Sequence, residues 1–493
     1  SLLEDSMPIV QNSDATSNTL NSGSSPSKSG SIFAPLTPNK LRWLLCVVSA
    51  WTLLFVLVST GTVEQHERAV KTIAFDAAPS VIQAFNIKAG LQRIDNDMLV
   101  KLLSDEIAED AGYAVEDVYK QQSKIAENLV GAARNITYGE SERLPIQAIQ
   151  TNLILYMMNV QRIFDAEIDK PRDKDALIAD YLQSKKILSE KLLPACDQLN
   201  KANTSMLEGI YQKEKSSCNL FRGLVAVLGF TLMCFLLYVQ FFLSWKFHRR
   251  INPAMLLATI ALAVFLHHLY TSLLESSADL KIAKEDAYDS VISLMSARSS
   301  AYSALGDQTR ALFNPKNASS DLADYARDIK EVASFDKGHG YAETIAKAQE
   351  QVDAGKKISL QGFDGFLAQE LNNIRFLGEP RAALTALGHF GAYTDFEFTL
   401  NKLLADNDRK SAIKASLGFA PHQRMYSFGR FDDGVEQTLK INMEHWHESA
   451  ADSLHILHGL VLKIQILCTL IVLFAAAGIL PRIDEYFQCG TPD

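Results

Sequence analysis

Residues 223–245 read GLVAVLGFTLMCFLLYVQFFLSW, a run of 23 residues without a formal charge. A second uncharged run begins at Ile251, ends at Leu274 and is 24 residues long. About 20 consecutive apolar residues are enough to cross the hydrocarbon core of a bilayer. The predicted connection between the two spans 223–245 and 253–274, KFHRRIN at 246–252, contains three Lys or Arg residues and no acidic residue. Because short basic connections are retained in the cytoplasm, this stretch predicts a membrane hairpin whose turn is cytoplasmic.

Two further apolar runs, one on each side of the hairpin, complete the predicted topology. Residues 43–63 are uncharged over 21 positions, and residues 464–481 over 18. Lys463 can extend the last run, because its long side chain can place the ammonium group in the interface. We therefore expect an integral protein of the plasma (inner) membrane with both termini in the cytoplasm. The expected spans are 41–63, 223–245, 253–274 and 459–481.

Little of the predicted chain lies in the cytoplasm. Residues 1–40 are rich in Ser, Asn, Thr and Pro. This composition predicts a disordered tail, because it cannot bury enough apolar area to offset the entropy of ordering. The other cytoplasmic parts are the connection at 246–252 and a short tail at 482–493. We therefore expect a separate protein partner to carry any output.

The composition excludes several classes of protein. The mean hydropathy of 0.00 averages four apolar runs with a polar remainder, which argues against a simple soluble enzyme. The net charge of −9 argues against nucleic acid as a partner. The sequence contains no phosphate-binding Gly-rich loop, no zinc-protease motif and no nucleophile elbow. We therefore expect a protein that is not an enzyme and that uses no cofactor.

The segment between the first two spans, 64–222, predicts a bundle of helices. Apolar residues recur here at steps of three and four, as at Ile125, Leu129 and Ala132, which is typical of amphipathic helices. The polar run at 95–97 offers an early end for the first helix, but an end near Gly112 gives better-matched helix lengths. The predicted helices are then 64–110, 113–137, 143–169 and 173–222.

The segment between the last two spans, 275–458, predicts a similar but more elaborate arrangement. A helix continues from the third span to 313, and another feeds the fourth span from 434 to 458. Shorter helices are expected between them, separated by Gly and Pro residues, at 319–335, 341–354, 364–377 and 394–416. The predicted fold class is all-α. It is a four-pass membrane protein with two extracytoplasmic helical bundles that continue into the transmembrane helices.

This order of span, long helix, inner helices, long helix and span resembles the four-helix-bundle sensory ectodomains of chemoreceptors (methyl-accepting chemotaxis proteins), present twice in tandem. The resemblance covers 64–222 well and 275–458 loosely, and it rests on helix order and length. Chemoreceptors usually carry a HAMP domain and a long cytoplasmic coiled coil, and we expect neither in the short predicted cytoplasmic parts of this chain. The resemblance implies a sensor or signal-input subunit that binds a small solute or a binding protein. Helical rods of this kind also lead us to expect a homodimer.

A structural role is the alternative interpretation. Paired helical rods can scaffold an assembly or shape a membrane without binding a ligand. The short connection between the second and third spans also resembles that of prominin-like proteins, which have more spans and a different use of cysteine.

The candidate ligand site is the stretch LGFAPHQRMYSFGRFDD at 417–433, interpreted as a loop. Aromatic side chains beside arginine suit a small organic anion, through stacking and paired hydrogen bonds. A loop that caps the distal end of the bundle by aromatic packing is the alternative. The residues assigned to the candidate site are His422, Arg424, Tyr426, Phe428 and Arg430.

No metal site is expected. His267 and His458 both lie near predicted membrane ends, but at depths that differ by about 13 Å along straight helices. Cys196 and Cys218 are 22 residues apart on one predicted helix. Their separation of about 33 Å is too long for a disulfide, so we expect packed thiols.

Overall fold

The computed structural model describes residues 37–137, 139–165, 174–247 and 251–488. Residues 1–36 of the predicted disordered tail lie outside these ranges, as do the centre of the predicted membrane hairpin and the last five residues of the chain. The described residues are almost entirely helical, which confirms the all-α class. Two short strands, Ser334–Phe335 and Phe363–Asp364, pair antiparallel at one edge of the second segment.

The first half of the chain contains two long helices with two shorter ones between them, and each long helix includes one wide turn of π helix. In order, the elements are α1 (Thr37–Lys71), a π-helical turn (Thr72–Ala77), α2 (Ala78–Ile107), α3 (Gly112–Arg134), α4 (Glu140–Phe164), α5 (Lys174–Ile187), a second π-helical turn (Leu188–Leu192) and α6 (Leu193–Phe247).

The second half follows a similar order with more inner helices, and its described residues contain a π-helical turn in the first long helix but not in the last. In order, the elements are α7 (Pro253–Lys281), a π-helical turn (Ile282–Tyr288), α8 (Asp289–Phe313), a 3-10 turn (Pro315–Asn317), α9 (Ala318–Val332), β1 (Ser334–Phe335), α10 (Tyr341–Asp353), β2 (Phe363–Asp364), α11 (Phe366–Asn373), α12 (Glu379–Ala405), α13 (Arg409–Leu417), α14 (Arg424–Leu457) and α15 (Leu460–Gln488).

Four helices are long and apolar enough to cross a membrane, and they contain the four predicted spans: 38–107, 175–247, 253–313 and 424–485. Their apolar parts form a ring in which α1 and α7 each contact both α6 and α15. Phe55, Leu232, Leu262 and Ile471 are fully buried inside this ring. The apolar faces of the spans therefore also form the core that joins the four helices.

The first helix of the first segment passes through 95–97 and ends at Ile107, and α3 begins at Gly112. The expectation of a continuous helix that ends shortly before Gly112 is confirmed. The reason is packing, because α2 is buried over most of its length between α3 and α8. The polar run at 95–97 is part of that buried surface and does not end the helix.

Two predicted helices of the second segment had wrong boundaries. The helix predicted at 394–416 is two helices, of which α12 begins already at Glu379. The helix predicted from 434 begins ten residues earlier, at Arg424. Gly and Pro residues predict breaks here, but in the structure they start α12. Gly378 has a left-handed φ of 88° just before the helix, and Pro380 lies in the first turn, where its missing N–H costs no hydrogen bond.

The two segments pack side by side along α2 and α8. Their distal part shares one apolar core, which contains Leu99 of α2, Phe313 of α8, Phe396 of α12 and Ile413 of α13. A cleft forms on the surface between the two segments, beside this interface.

Candidate functional site: the cleft between the two segments

Residues 92–97 of α2 read QRIDND and form a polar run inside a buried helix. Asp95, Asn96 and Asp97 are at most 5% exposed. Carboxylates are rarely buried to this degree unless they have partners. Because α2 lies against α8, these side chains belong to the interface between the two segments.

One side of α2 carries a chain of polar contacts that crosses the interface. Arg93 pairs with Asp117 of α3, and its Nη2 donates to Oδ1 at 2.9 Å. Its Nη1 donates to the hydroxyl of Tyr302 of α8 at 3.1 Å. That hydroxyl donates to Asp432 of α14 at 2.9 Å, and Arg298 of α8 binds both oxygens of the same carboxylate. The cleft chain, defined as Asp117, Arg93, Tyr302, Asp432 and Arg298, therefore connects α3, α2, α8 and α14.

Two neighbouring cavities open on this chain, with volumes of about 1130 Å³ and 470 Å³. Arg93, Arg298 and Tyr302 line both. Sites for small organic molecules usually have a volume of about 300–1,000 Å³ and lie in clefts between domains. The cleft chain therefore lies where a bound solute would touch both segments.

The charges in the two cavities differ. The larger cavity is lined by five basic and three acidic side chains, with apolar contributions from Ile82, Met295, Leu439 and Met443. Its basic residues include Arg134 of α3 and Lys440 of α14, both exposed. The smaller cavity has more acidic than basic side chains. The larger cavity therefore suits a small anion with an apolar part.

Burial perturbs the carboxyl groups beside the cleft. Burial raises the pKa of Asp97 well above its usual value, and the neighbouring charge of Asp117 raises it further. The pKa of Arg93 is also raised, because the attraction of Tyr302 and Asp117 outweighs the opposing effect of burial. Strongly perturbed groups in a cleft are a common feature of functional sites.

The opposite side of α2 carries a second group of buried charges. Asp95 accepts hydrogen bonds from Tyr181 and from Lys185, both at 3.2 Å, and lies 3.5 Å from Nη1 of Arg310. Arg310 also binds Asp321 at 2.7 Å. A cavity of about 310 Å³ opens beside these residues. The two segments are thus joined by charged contacts on both sides of α2.

Hydrogen bonds between uncharged side chains lie between the charged residues on the two sides of α2. Ser299 donates to Gln92 and Thr309 donates to Asn96, both at 3.0 Å. Gln92, Arg93, Asp95 and Asn96 of the run at 92–97 therefore each have a hydrogen-bond partner.

The structure does not bring the five residues of the predicted loop site together. The interpretation of 417–433 as a loop is wrong from Arg424 onward, where α14 begins, and His422 alone of the five precedes the helix. Arg430 is exposed and lies over the ring of Tyr426. Phe428 is buried and lines the smaller cavity. Ligand binding by this set stays a prediction.

Arg424 has a different environment from the other four residues. Its side chain is fully buried and donates to the carbonyl of Ser416, to Gln308 at 3.1 Å and to Thr309 at 2.9 Å. Burial lowers the pKa of its guanidinium group. Since Thr309 in turn contacts Asn96, Arg424 belongs to the interface between the segments.

Aromatic packing accounts for the rest of this stretch. The ring of Phe428 lies 4.9 Å from that of Tyr302 and 5.3 Å from that of Tyr393. Phe419 contacts the ring of Tyr113 at 5.0 Å in an edge-to-face arrangement. These contacts fit the alternative interpretation of the stretch as an aromatic cap.

Sequence reasoning missed the cleft chain because its members come from four distant helices. The signal that could have found it is the run at 92–97, of which the sequence-based prediction uses only 95–97, as a possible helix end. A polar run inside a continuous amphipathic helix indicates a buried polar partner.

Comparison with known proteins gives one finding about this region. Residues 69–212 match the protein family described as the Actinobacterial sensor domain. No curated protein and no solved structure matches the chain. The matched residues include Arg93, Asp97 and Asp117, and thus one side of the cleft. The match suggests a membrane sensor role, and residues 69–212 are accordingly similar to actinobacterial sensor domains.

Proposed function

We propose that the protein is a membrane sensor that binds a small organic anion in the larger cavity and relays its presence to a separate protein partner. The observation that carries this proposal is the cleft chain, which joins α2 and α3 of the first segment to α8 and α14 of the second. A solute in the adjoining cavity would compete for the same arginine side chains. Binding would therefore change the contacts between the two segments.

The long helices provide a path from the cleft to the membrane. α2 and α8, which face each other at the cleft, continue into the apolar parts of α1 and α7. A small shift of one packed helix past another is a common way to transmit ligand binding. The helices then have two arrangements, one before and one after the shift. A ligand changes the equilibrium between them only by the difference between its binding free energies for the two arrangements.

A separate partner is proposed because the second and third spans are joined by only seven residues, 246–252. Such a connection is too short to fold into an output domain. We expect the partner to contact the membrane-spanning helices or this basic connection.

The test uses the purified full-length protein in detergent. A set of small organic anions is screened for an increase in thermal stability, and the affinities of positive compounds are measured by calorimetry. Arg134→Gln and Lys440→Gln remove charges from the exposed rim of the larger cavity, and each is expected to weaken binding about tenfold or more. The matched control is Lys402→Gln, an exposed lysine of α12 that does not line either cavity.

Two outcomes would overturn the proposal. One is a screen in which no anion stabilises the protein, together with ligand-independent purification in a large assembly. The other is an affinity that is unchanged in both rim variants.

A further inference from the structure

A second cluster of reactive side chains lies close to the membrane, far along the helices from the cleft. His66 of α1 and Glu214 and Cys218 of α6 place a ring nitrogen, a carboxylate oxygen and a thiol sulfur within 4.8 Å of one another. All three side chains are buried. His66 follows the first apolar run, and the other two residues precede the second, so the cluster lies at the membrane ends that face the two large segments.

The spacing of the cluster suits a common ligand. Glu214 and Cys218 are four residues apart on one helix and therefore lie on the same face. His66 reaches them from the neighbouring helix, and its Nδ1 lies 2.7 Å from Oε1 of Glu214. An imidazole, a carboxylate and a thiolate are the three side-chain ligand types that Zn²⁺ uses in proteins.

The second nitrogen of the histidine is also held in place. Nε2 of His66 lies 3.0 Å from Oγ of Ser276 of α7. The hydroxyl of Ser276 is within 3.1 Å of the carbonyl oxygen of Ser453 of α14. Metal-binding histidines usually have such a partner on the nitrogen that does not bind the metal, because it fixes the ring.

A cavity of about 200 Å³ adjoins the cluster and is lined by His66, Glu214 and Cys218, together with Tyr211 and Ser277. It provides a route of entry and room for a water molecule. We propose that His66, Glu214 and Cys218 bind one Zn²⁺ ion, with water as the fourth ligand. The site is independent of the anion-binding cavity.

The protons balance in this scheme. On binding, a zinc–sulfur bond would replace the S–H bond of Cys218, and the thiol proton would pass to solvent. Nδ1 of His66 binds the metal, and the ring proton stays on Nε2 and is donated to Ser276. The hydroxyl of Ser276 then donates to the carbonyl of Ser453. Zinc binding therefore connects four helices through one ion and two hydrogen bonds.

The test titrates the full-length protein in detergent with Co²⁺, followed by displacement with Zn²⁺. We expect one equivalent of cobalt to bind with the charge-transfer absorption of a cobalt–thiolate bond, and zinc to remove this absorption. Cys218→Ser should abolish the absorption. Cys196→Ser should retain it, since Cys196 is a second buried thiol on the same helix. Absorption that persists in Cys218→Ser, or the absence of stoichiometric binding, would overturn the proposal.

A further variant separates a metal site from a purely structural hydrogen bond. Ser276→Ala keeps all three ligands and removes the hydroxyl group that contacts both Nε2 of His66 and the carbonyl of Ser453. We expect its zinc affinity to fall about 10–100-fold, with helix content unchanged by circular dichroism. An unchanged affinity in both Ser276→Ala and Glu214→Gln would mean that the cluster is structural. Since no anion is present in either titration, failure here and failure of the proposed sensor function are distinguishable.

Discussion

Arg93 of α2 and Tyr302 of α8 are hydrogen-bonded across the cleft, with Nη1 3.1 Å from the phenolic oxygen. The same hydroxyl donates to Asp432 of α14. One phenol thus connects a cation of the first segment with an anion of the second. The alignment of α2, α8 and α14 therefore depends on the hydroxyl group of Tyr302, which a substitution by phenylalanine removes.

Tyr302→Phe tests this link. The substitution removes the hydroxyl and leaves two charged groups with one partner fewer, so we expect a loss of about 1–3 kcal/mol in the free energy of unfolding. Thermal unfolding of the full-length protein in detergent measures the effect. Tyr426→Phe is the control, because the contact of Tyr426 with Arg430 uses the ring face, which phenylalanine keeps. Equal stability of the two variants would show that the hydroxyl of Tyr302 contributes little to the free energy of unfolding.

Arg424 and Arg430 should behave differently although both belong to the predicted loop site. Arg424→Ala removes a fully buried side chain and leaves the acceptors of Ser416, Gln308 and Thr309 without their donor. We expect this change to cost about 2–5 kcal/mol of stability. Arg430→Ala changes an exposed residue and should stay within about 0.5 kcal/mol of the original. Denaturant unfolding followed by circular dichroism compares them, and similar losses would contradict the assigned burial.

Gly434 and Gly429 provide a matched pair on α14. A Cβ atom at Gly434 would lie 3.0 Å from backbone and side-chain atoms of Ala386 on α12, whereas one at Gly429 would meet no atom within 4 Å. We expect Gly434→Ala to destabilise the protein by about 1–3 kcal/mol through overpacking. Gly429→Ala should stabilise it by up to about 1 kcal/mol, because alanine favours the helix. Thermal unfolding of both variants checks the sign, and a stabilising Gly434→Ala would be inconsistent with close packing of α12 on α14.

Asp307 predicts a pH dependence of stability. Burial raises the pKa of its carboxyl from the ordinary value of 3.8 to about 7, although Arg310 opposes the shift. The folded state therefore holds this proton more tightly than the unfolded state. The resulting stabilisation is complete below the unfolded pKa and is lost as the pH rises towards about 7.

The measurement compares the original protein with Asp307→Asn, whose amide does not titrate. Between pH 5 and pH 8, the original protein should lose more thermal stability than the variant. Asp328, whose pKa burial also raises and whose charge adds to the shift at Asp307, is present in both proteins. Identical pH profiles would contradict the raised pKa of Asp307.

The fold was predictable where a pattern persists along the chain. Four apolar runs identify the four helices that are long and apolar enough to cross a membrane, because a bilayer requires an uncharged stretch of about 20 residues. The end of the first long helix near Gly112 was also predictable from matched lengths. The start of α12 was not, because Gly378 and Pro380 favour a helix start as well as a break, and only packing decides between them.

The cleft was not predictable for a different reason. Arg93 and Asp117 are 24 residues apart, but Arg93 and Tyr302 are 209 residues apart. A single sequence carries no information on which of its polar side chains meet across such a distance. The contact between His66 and Glu214 was not predictable for the same reason, because the two residues are 148 positions apart in the sequence. Conversely, the sequence predicts a ligand site at 417–433 because aromatic and basic residues are adjacent there. The helix α14 directs the side chains of these residues to different environments.

The π-helical turns at Thr72–Ala77 and Ile282–Tyr288 lie at matching places in the two halves, shortly after the first and third apolar runs. A turn closed five residues apart contains one residue more than an α-helical turn. Deleting one residue from either turn should therefore restore a regular α-helix. The rotation of α2 or α8 about the helix axis, relative to the apolar part of α1 or α7, should stay unchanged. A deletion inside α2 would instead rotate everything beyond it by about 100°. Both halves can thus vary in length by one residue just beyond the apolar runs without losing the register of the interface between them.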